Sequence, residues 1–211
     1  MFTFVFKIKW NKRLKEDNGS ACKVSVDGTD FKVAQIKPFW KGWYSHKFKG
    51  PGLRYEVGVS IQCGDIVWIN GPFPCGAWPD IKIFRQALKG KLISAGERVE
   101  ADDGYRGEPR CVDLPKEMAF GFPDQLSKKA ALRHRHETVN SRFKNFSILK
   151  DTFRSHFIKH GDVFRTIVVL TQLNIKYEDP LWKISGYQTL THEMATKLLE
   201  KQRRRRNRNH R

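Results

Sequence analysis

The chain has 211 residues, with 40 Lys and Arg against 22 Asp and Glu, a formal net charge of +18. That length suffices for one domain with a real core, and an apolar content of 39% with 15 Phe and 6 Trp excludes global disorder. So large a positive charge argues against an enzyme of small neutral metabolites and for a polyanionic partner, nucleic acid by counterion release or, as the competing reading, a membrane surface. The apolar opening of residues 1–6 is cut short by Lys7 and Lys9, and no run of about 18 apolar residues follows, so neither a spanning helix nor a secretory signal is expected. Cys22, Cys63, Cys75 and Cys111 form no C-x-x-C pair, which points to reduced thiols in a cytosolic or nuclear protein. His156 and His160 have H-x₃-H spacing but no second pair to complete a zinc site.

In chain order, Val24 and Val26 alternate with Ser25 and Asp27, predicting a strand over 23–27 with the valines toward a core. The odd positions from Leu53 to Cys63 are apolar, and Gly64-Asp65 offers a turn into 66–69, predicting an antiparallel hairpin. Residues 70–79, rich in Gly and Pro, read as a loop, after which Asp80 is suited to cap a short helix bearing Ile81, Phe84 and Leu88. A strand over 98–102 sets Val99 and Ala101 on one face and Glu100 and Asp102 on the other, before Gly104 breaks it. A polar stretch over 106–123 leads into a helical region predicted for 126–158. On that helix Leu132, Val139, Phe143, Phe146, Phe153 and Phe157 share one side, and Arg133, Glu137, Asn140 and Lys144 form a stripe nearly opposite. Taken alone, the stripe reads as a solvated face. Helices are predicted for 162–173 and 191–202. Residues 201–211 carry seven bases and no acid, and read as a mobile tail for nuclear import or phosphate contact; without it, 33 bases still face 22 acids, a net of +11.

The segments Val26-Asp27-Gly28-Thr29, Ala101-Asp102-Asp103-Gly104-Tyr105 and Arg133-x₃-Glu137-x₆-Lys144 resemble the three signatures of DDE transposases of the PIF/Harbinger type and their bacterial insertion-sequence relatives. The three occur in family order over 23–173. The resemblance implies an α/β, ribonuclease-H-like fold, a mixed sheet flanked by helices, with Asp27 ending the first core strand, Asp102 on the fourth and Glu137 on the helix beside them. It further implies that Asp27, Asp102 and Glu137 hold Mg²⁺ or Mn²⁺ for two-metal phosphoryl transfer, with Arg133 and Lys144 neutralising phosphate or steadying the glutamate. Ala130 stands where the insertion-sequence signature often has Tyr. The layout expected is a lead-in over 1–22 without a recognition domain, a catalytic domain over 23–178 and a C-terminal segment with its basic tail over 179–211.

Each acid also has a simpler reading. Asp27-Gly28 makes a good hairpin turn, Asp103 competes with Asp102, and Asp80, which matches a non-catalytic aspartate of such transposases, suits an N-cap. The stretch over 40–49 interleaves aromatics with bases, and Tyr44, His46, Lys47 and Lys49 are the candidate nucleic-acid contacts. The expected function is a metal-dependent DNA endonuclease or strand transferase, as a fragment, a decayed element or a domesticated protein. The alternative is a catalytically silent nucleic-acid-binding module. A third possibility is a basic structural protein of a ribonucleoprotein, which predicts dispersed acids. The expected partners are DNA and a separate DNA-recognition protein, with a homo-oligomer allowed and no membrane; the expected location is the nucleus, or the cytoplasm of a bacterium.

Overall fold

The computed structural model describes residues 8–34, 37–38, 40–91, 94–114 and 125–209. The elements in chain order are β1 (Cys22–Lys32), β2 (Tyr44–Ser45), β3 (Gly50–Ser60), β4 (Ile66–Pro74), α1 (Asp80–Gln86), α2 (Leu88–Lys91), β5 (Arg98–Ala101), β6 (Val112–Asp113), α3 (Gln125–Phe143), α4 (Ser147–Lys150), α5 (Phe157–Tyr177) and α6 (His192–Asn209). The opening residues 1–6, the stretch 115–123 within the predicted polar segment, and the end of the basic tail at 210–211 lie outside the described residues.

The main sheet runs β4-β3-β1-β5-β6, with β3 antiparallel to β1 and β4, and with β1, β5 and β6 mutually parallel; β2 pairs with the start of β3. The fold is α/β, a mixed six-stranded sheet flanked by helices, and its order is compatible with a ribonuclease-H-like arrangement. Alternation along β1 divides the core. Phe31 on β1 and Leu53, Tyr55, Val57 and Val59 on β3 pack against Val139 and Phe143 of α3 and Phe164 of α5. Val24, Val26, Val99 and Ala101 pack on the other side with Phe84 of α1, Leu88 and Tyr105.

Four sequence-based expectations differ from the structure. Strand β1 does not end at Asp27 but continues to Lys32, because the positions from Asp27 to Lys32 pair with β3 from Val57 back to Gly52; the Asp27-Gly28 turn signal is overridden by that ladder. The supposed loop over 70–79 is in part strand, since β4 reaches Pro74 through the cis peptide Gly71–Pro72. The long helix is three helices. Phe143 ends α3, Phe146 is 36% exposed ahead of α4, and Phe153 is buried through an isolated bridge to Val33, so the predicted aromatic face is not continuous. The basic tail, expected to be mobile, continues α6 as far as Asn209. Among the described residues no helix is long and apolar enough to cross a membrane.

Candidate metal and phosphate cleft

Parallel strands deliver their C-terminal ends to a common edge, and side chains there face a crevice that helices do not cover. Val26 is in register with Ala101, so Asp27 on β1 and Asp102, one residue past β5, stand beside each other on the α3 side of the sheet. Both line a cleft of about 720 Å³. Asp102 Oδ1 accepts from Gly104 N at 2.9 Å, which fixes the carboxylate at the strand end. Asp103 turns away into an ion pair with Arg106 at 2.8 Å and is not among the cleft-lining residues.

Asp27 is held from two sides, with Oδ1 accepting from Gly28 N at 2.7 Å and Oδ2 from Asn140 Nδ2 at 3.1 Å. Burial first, and the nearby Asp102 carboxylate second, push its pKa up to about 7, with Asp80 adding to the rise and Lys47 opposing it. Asp80 comes from the opposite wall. It is the first residue of α1, but Pro79 is the cap position and no side chain caps that helix. Its Oδ2 instead meets Arg54 Nη1 at 3.3 Å, its Oδ1 is buried without a partner, and burial raises its pKa. Gly28 is the residue that admits it: a Cβ there would overlap Asp80 Oδ1. Asp102 Oδ1 and Asp80 Oδ2 both lie within 3.1 Å of the point where a Cβ on Gly104 would stand.

Glu137 lines the same cleft from α3, with a side chain 66% exposed and an ion-pair contact to His134 at 3.7 Å. Glu137 and Asp102 are both exposed at the cleft, while Asp27 is half-buried. Lys144, one residue past the end of α3, also lines the cleft, and burial and Lys47 lower its pKa. Arg133 borders a small adjoining cavity of about 30 Å³ shared with Asp27 and Asp102.

Tyr44, His46 and Lys47 line the wall facing the acids, with the Tyr44 and His46 rings edge-on at 5.3 Å. Lys49 is exposed and is not among the lining residues. This wall is braced from behind, because Ala77 N donates to Gly42 O at 2.9 Å and Gly76 is packed against three carbonyls of the 41–44 turn. Arg54 is bidentate on Asp30, at 2.7 and 2.9 Å, as well as reaching Asp80.

Reasoning on the sequence missed Asp80, Arg54, Asp30 and Asn140 as cleft residues. Asn140 was visible only as part of the predicted helical stripe, and Asp80 only as a cap and a match to a non-catalytic aspartate. The H-x₃-H pair separates: His160 is buried against the Tyr55 hydroxyl at 2.8 Å, while His156 caps α5.

The donor set suits a hard cation. Carboxylates of Asp27, Asp80 and Asp102 border one cleft, although among the described residues their oxygens do not all draw within 4.8 Å of one another as the ligand atoms of Cys22, Glu100 and Asp113 do. Buried oxygens of Asp80 and Asn140 lack partners, and burial, with the Asp102 carboxylate second, raises the pKa of Asp27. Compared with known proteins, the chain matches no family model, no curated protein and no solved structure.

Proposed function

We propose that the protein is a metal-dependent DNA endonuclease or strand transferase of the DDE type. One observation carries this reading: Asp27, within β1, and Asp102, one residue past the end of the parallel neighbour β5, stand side by side though remote in sequence, in a cleft that Glu137 borders and that Lys47, Lys144 and Arg54 also line. Acids alone would repel a phosphodiester, and bases alone would bind one without chemistry. A cleft bearing both suits a phosphate held by cations of both kinds.

Asp27 and Asp102 are the residues that would hold Mg²⁺ or Mn²⁺, with Asp80 and Glu137 at the margins of the same space. Such an ion supplies charge stabilisation for the oxygens exchanged at phosphorus and lowers the pKa of an attacking water. Asn140 keeps the Asp27 carboxylate turned into the cleft, and Asp102 is fixed by the Gly104 amide. Lys47 and Lys144 would take the substrate's phosphate oxygens, and Tyr44 and His46 offer ring faces to a neighbouring nucleotide. DNA is accordingly the proposed partner and the nucleus the proposed location.

The exposed position of Glu137 and its contact with His134 favour a second reading, a catalytically silent nucleic-acid-binding module. Plasmid nicking separates the two. The first reading expects cleavage that needs Mg²⁺ and disappears in Asp102→Asn and Glu137→Gln. The second expects DNA binding unchanged in those variants and no cleavage by the parent with any divalent ion.

A further inference from the structure

Arg135 is the largest side chain fully enclosed by the fold, 1% exposed, and among the described residues no carboxylate pairs with it. Its guanidinium donates only to neutral carbonyls, Nη2 to Ser60 O at 2.8 Å and Ile61 O at 2.9 Å and Nη1 to Trp182 O at 3.5 Å. Its Nε has no hydrogen-bond partner. The other buried arginines are treated differently: Arg13 is paired with Glu97 at 2.7 Å and Arg98 with Asp113 at 3.4 Å. An enclosed cation without a counter-charge is costly, and here burial pushes the guanidinium down to about 10.

Arg135 lines a cavity of about 190 Å³ walled by Lys15, the turn that follows β3, the end of α5 and the segment 180–183. Lys15, Lys176 and Lys183 share the lining, against a single carboxylate, Asp65, which already accepts from Gln172 Nε2 at 2.9 Å. Gln62 also lines it and has a buried amide nitrogen with no acceptor. No lining residue is common to this cavity and the acidic cleft. Arg135 leaves α3 about 200° round the axis from Glu137.

We propose that this cavity is a second, anion-binding site that takes a phosphate group. A buried guanidinium facing no carboxylate, Lys183 beside it, two orphaned buried donors and one engaged carboxylate are the complement of an oxyanion, and a planar guanidinium with an adjacent ammonium group is the usual set for phosphate. The volume is below the roughly 300–1,000 Å³ of clefts for drug-sized ligands, which selects a phosphate group with its waters over a whole nucleotide. The phosphate comes either from the free ion or from a nucleic-acid backbone. The site stands whether or not the acidic cleft cleaves DNA.

The test uses the full chain, with inorganic phosphate followed by calorimetry and thermal melting, and with a DNA duplex in competition. The expected result is phosphate uptake that raises the melting temperature. It should weaken about tenfold, the equivalent of one charged hydrogen bond, in Lys183→Gln and further in Arg135→Gln. The comparison is made in a Lys47→Gln, Lys144→Gln background, so that phosphate held by the acidic cleft does not enter it. Lys183→Gln carries the test if Arg135→Gln does not fold. Displacement of phosphate by the duplex, or a loss of DNA affinity with a shallower salt slope in Lys183→Gln, assigns the backbone as source; uptake indifferent to DNA assigns the free ion. Uptake equal in parent and Lys183→Gln, or no uptake at millimolar phosphate together with unchanged DNA affinity in the variant, overturns the proposal.

Discussion

Two acidic clusters have strand β5 in common, one shared with β6 and the other with β1, and their surroundings differ. Glu100 and Asp113, on β5 and β6, are enclosed with Lys129 Nζ at 3.5 Å and 3.0 Å respectively, with Arg98 at 3.4 Å from Asp113 and the Tyr187 hydroxyl donating to Glu100 at 2.6 Å. The Lys129–Asp113 contact is an ion pair by distance although both Asp113 oxygens lack well-aligned hydrogen bonds. Cys22, Glu100 and Asp113 have the proximity of a metal site, with ligand atoms within 4.8 Å of one another, but the lysine already supplies the positive charge there. At the cleft, Asp27 and Asp102 have no ion pair among the described residues, and Asp80 shares Arg54 with Asp30. Acids neutralised by the fold are structural; acids that the fold leaves short of positive charge are the ones available to a ligand.

The sharpest way to break this contrast is to take the cation from the closed cluster. Lys129→Met leaves the buried Glu100 without a cation and Asp113 with Arg98 alone, and should cost about 3–5 kcal/mol in denaturant unfolding, with the cleft's metal response retained in whatever folds. At the cleft the pattern reverses. Asp102→Asn should lower Mg²⁺-dependent nicking by at least about a hundredfold, the scale of losing one charge-stabilising group, with little loss of stability.

Titration sharpens the comparison further. Asp27 has its folded pKa raised from 3.8 to about 7, so the folded state binds more protons than the unfolded one between those values, and the group's contribution to stability falls as pH rises through that window. Asp27→Asn removes the effect, and its melting temperature relative to the parent should climb from pH 4 to pH 7. A flat difference would contradict the raised pKa. The smallest expected effect is that of Gly28→Ala, whose methyl must displace Asp80, at about 1–3 kcal/mol with a local disturbance at the start of α1.

Much of this architecture is legible in the sequence where local and long-range preferences agree. The Val24/Val26 alternation and the β3–β4 hairpin with Gly64 at φ +74° appear as read, and of the predicted stripe Arg133, Glu137 and Asn140 fall on α3 while Lys144 lies just past its end. The misses come from tertiary context. Pairing with β3 carries β1 straight through Asp27-Gly28, a pair whose local chemistry favours a turn. The break after Phe143 is hidden because helical periodicity continues across it, while the Val33–Phe153 bridge that interrupts the helix is a contact 120 residues distant in the chain. Asp80 has the composition of a cap, and only the absence of side chains at Gly28 and Gly104 shows that it reaches the cleft. The resemblance to DDE transposases pointed to Asp27, Asp102 and Glu137, and all three border one cleft, but it gave no indication of Arg54 and Asn140, which hold the carboxylates around them.

The most direct test is Mn²⁺ binding to the metal-free protein, followed by electron paramagnetic resonance and by thermal melting at pH 8. The account predicts that the parent takes up the ion and is stabilised, that Asp27→Asn with Asp102→Asn abolishes both effects, and that Cys22→Ser leaves them intact. Equal uptake and equal stabilisation in the double variant, or no uptake by the parent at millimolar Mn²⁺, would contradict it.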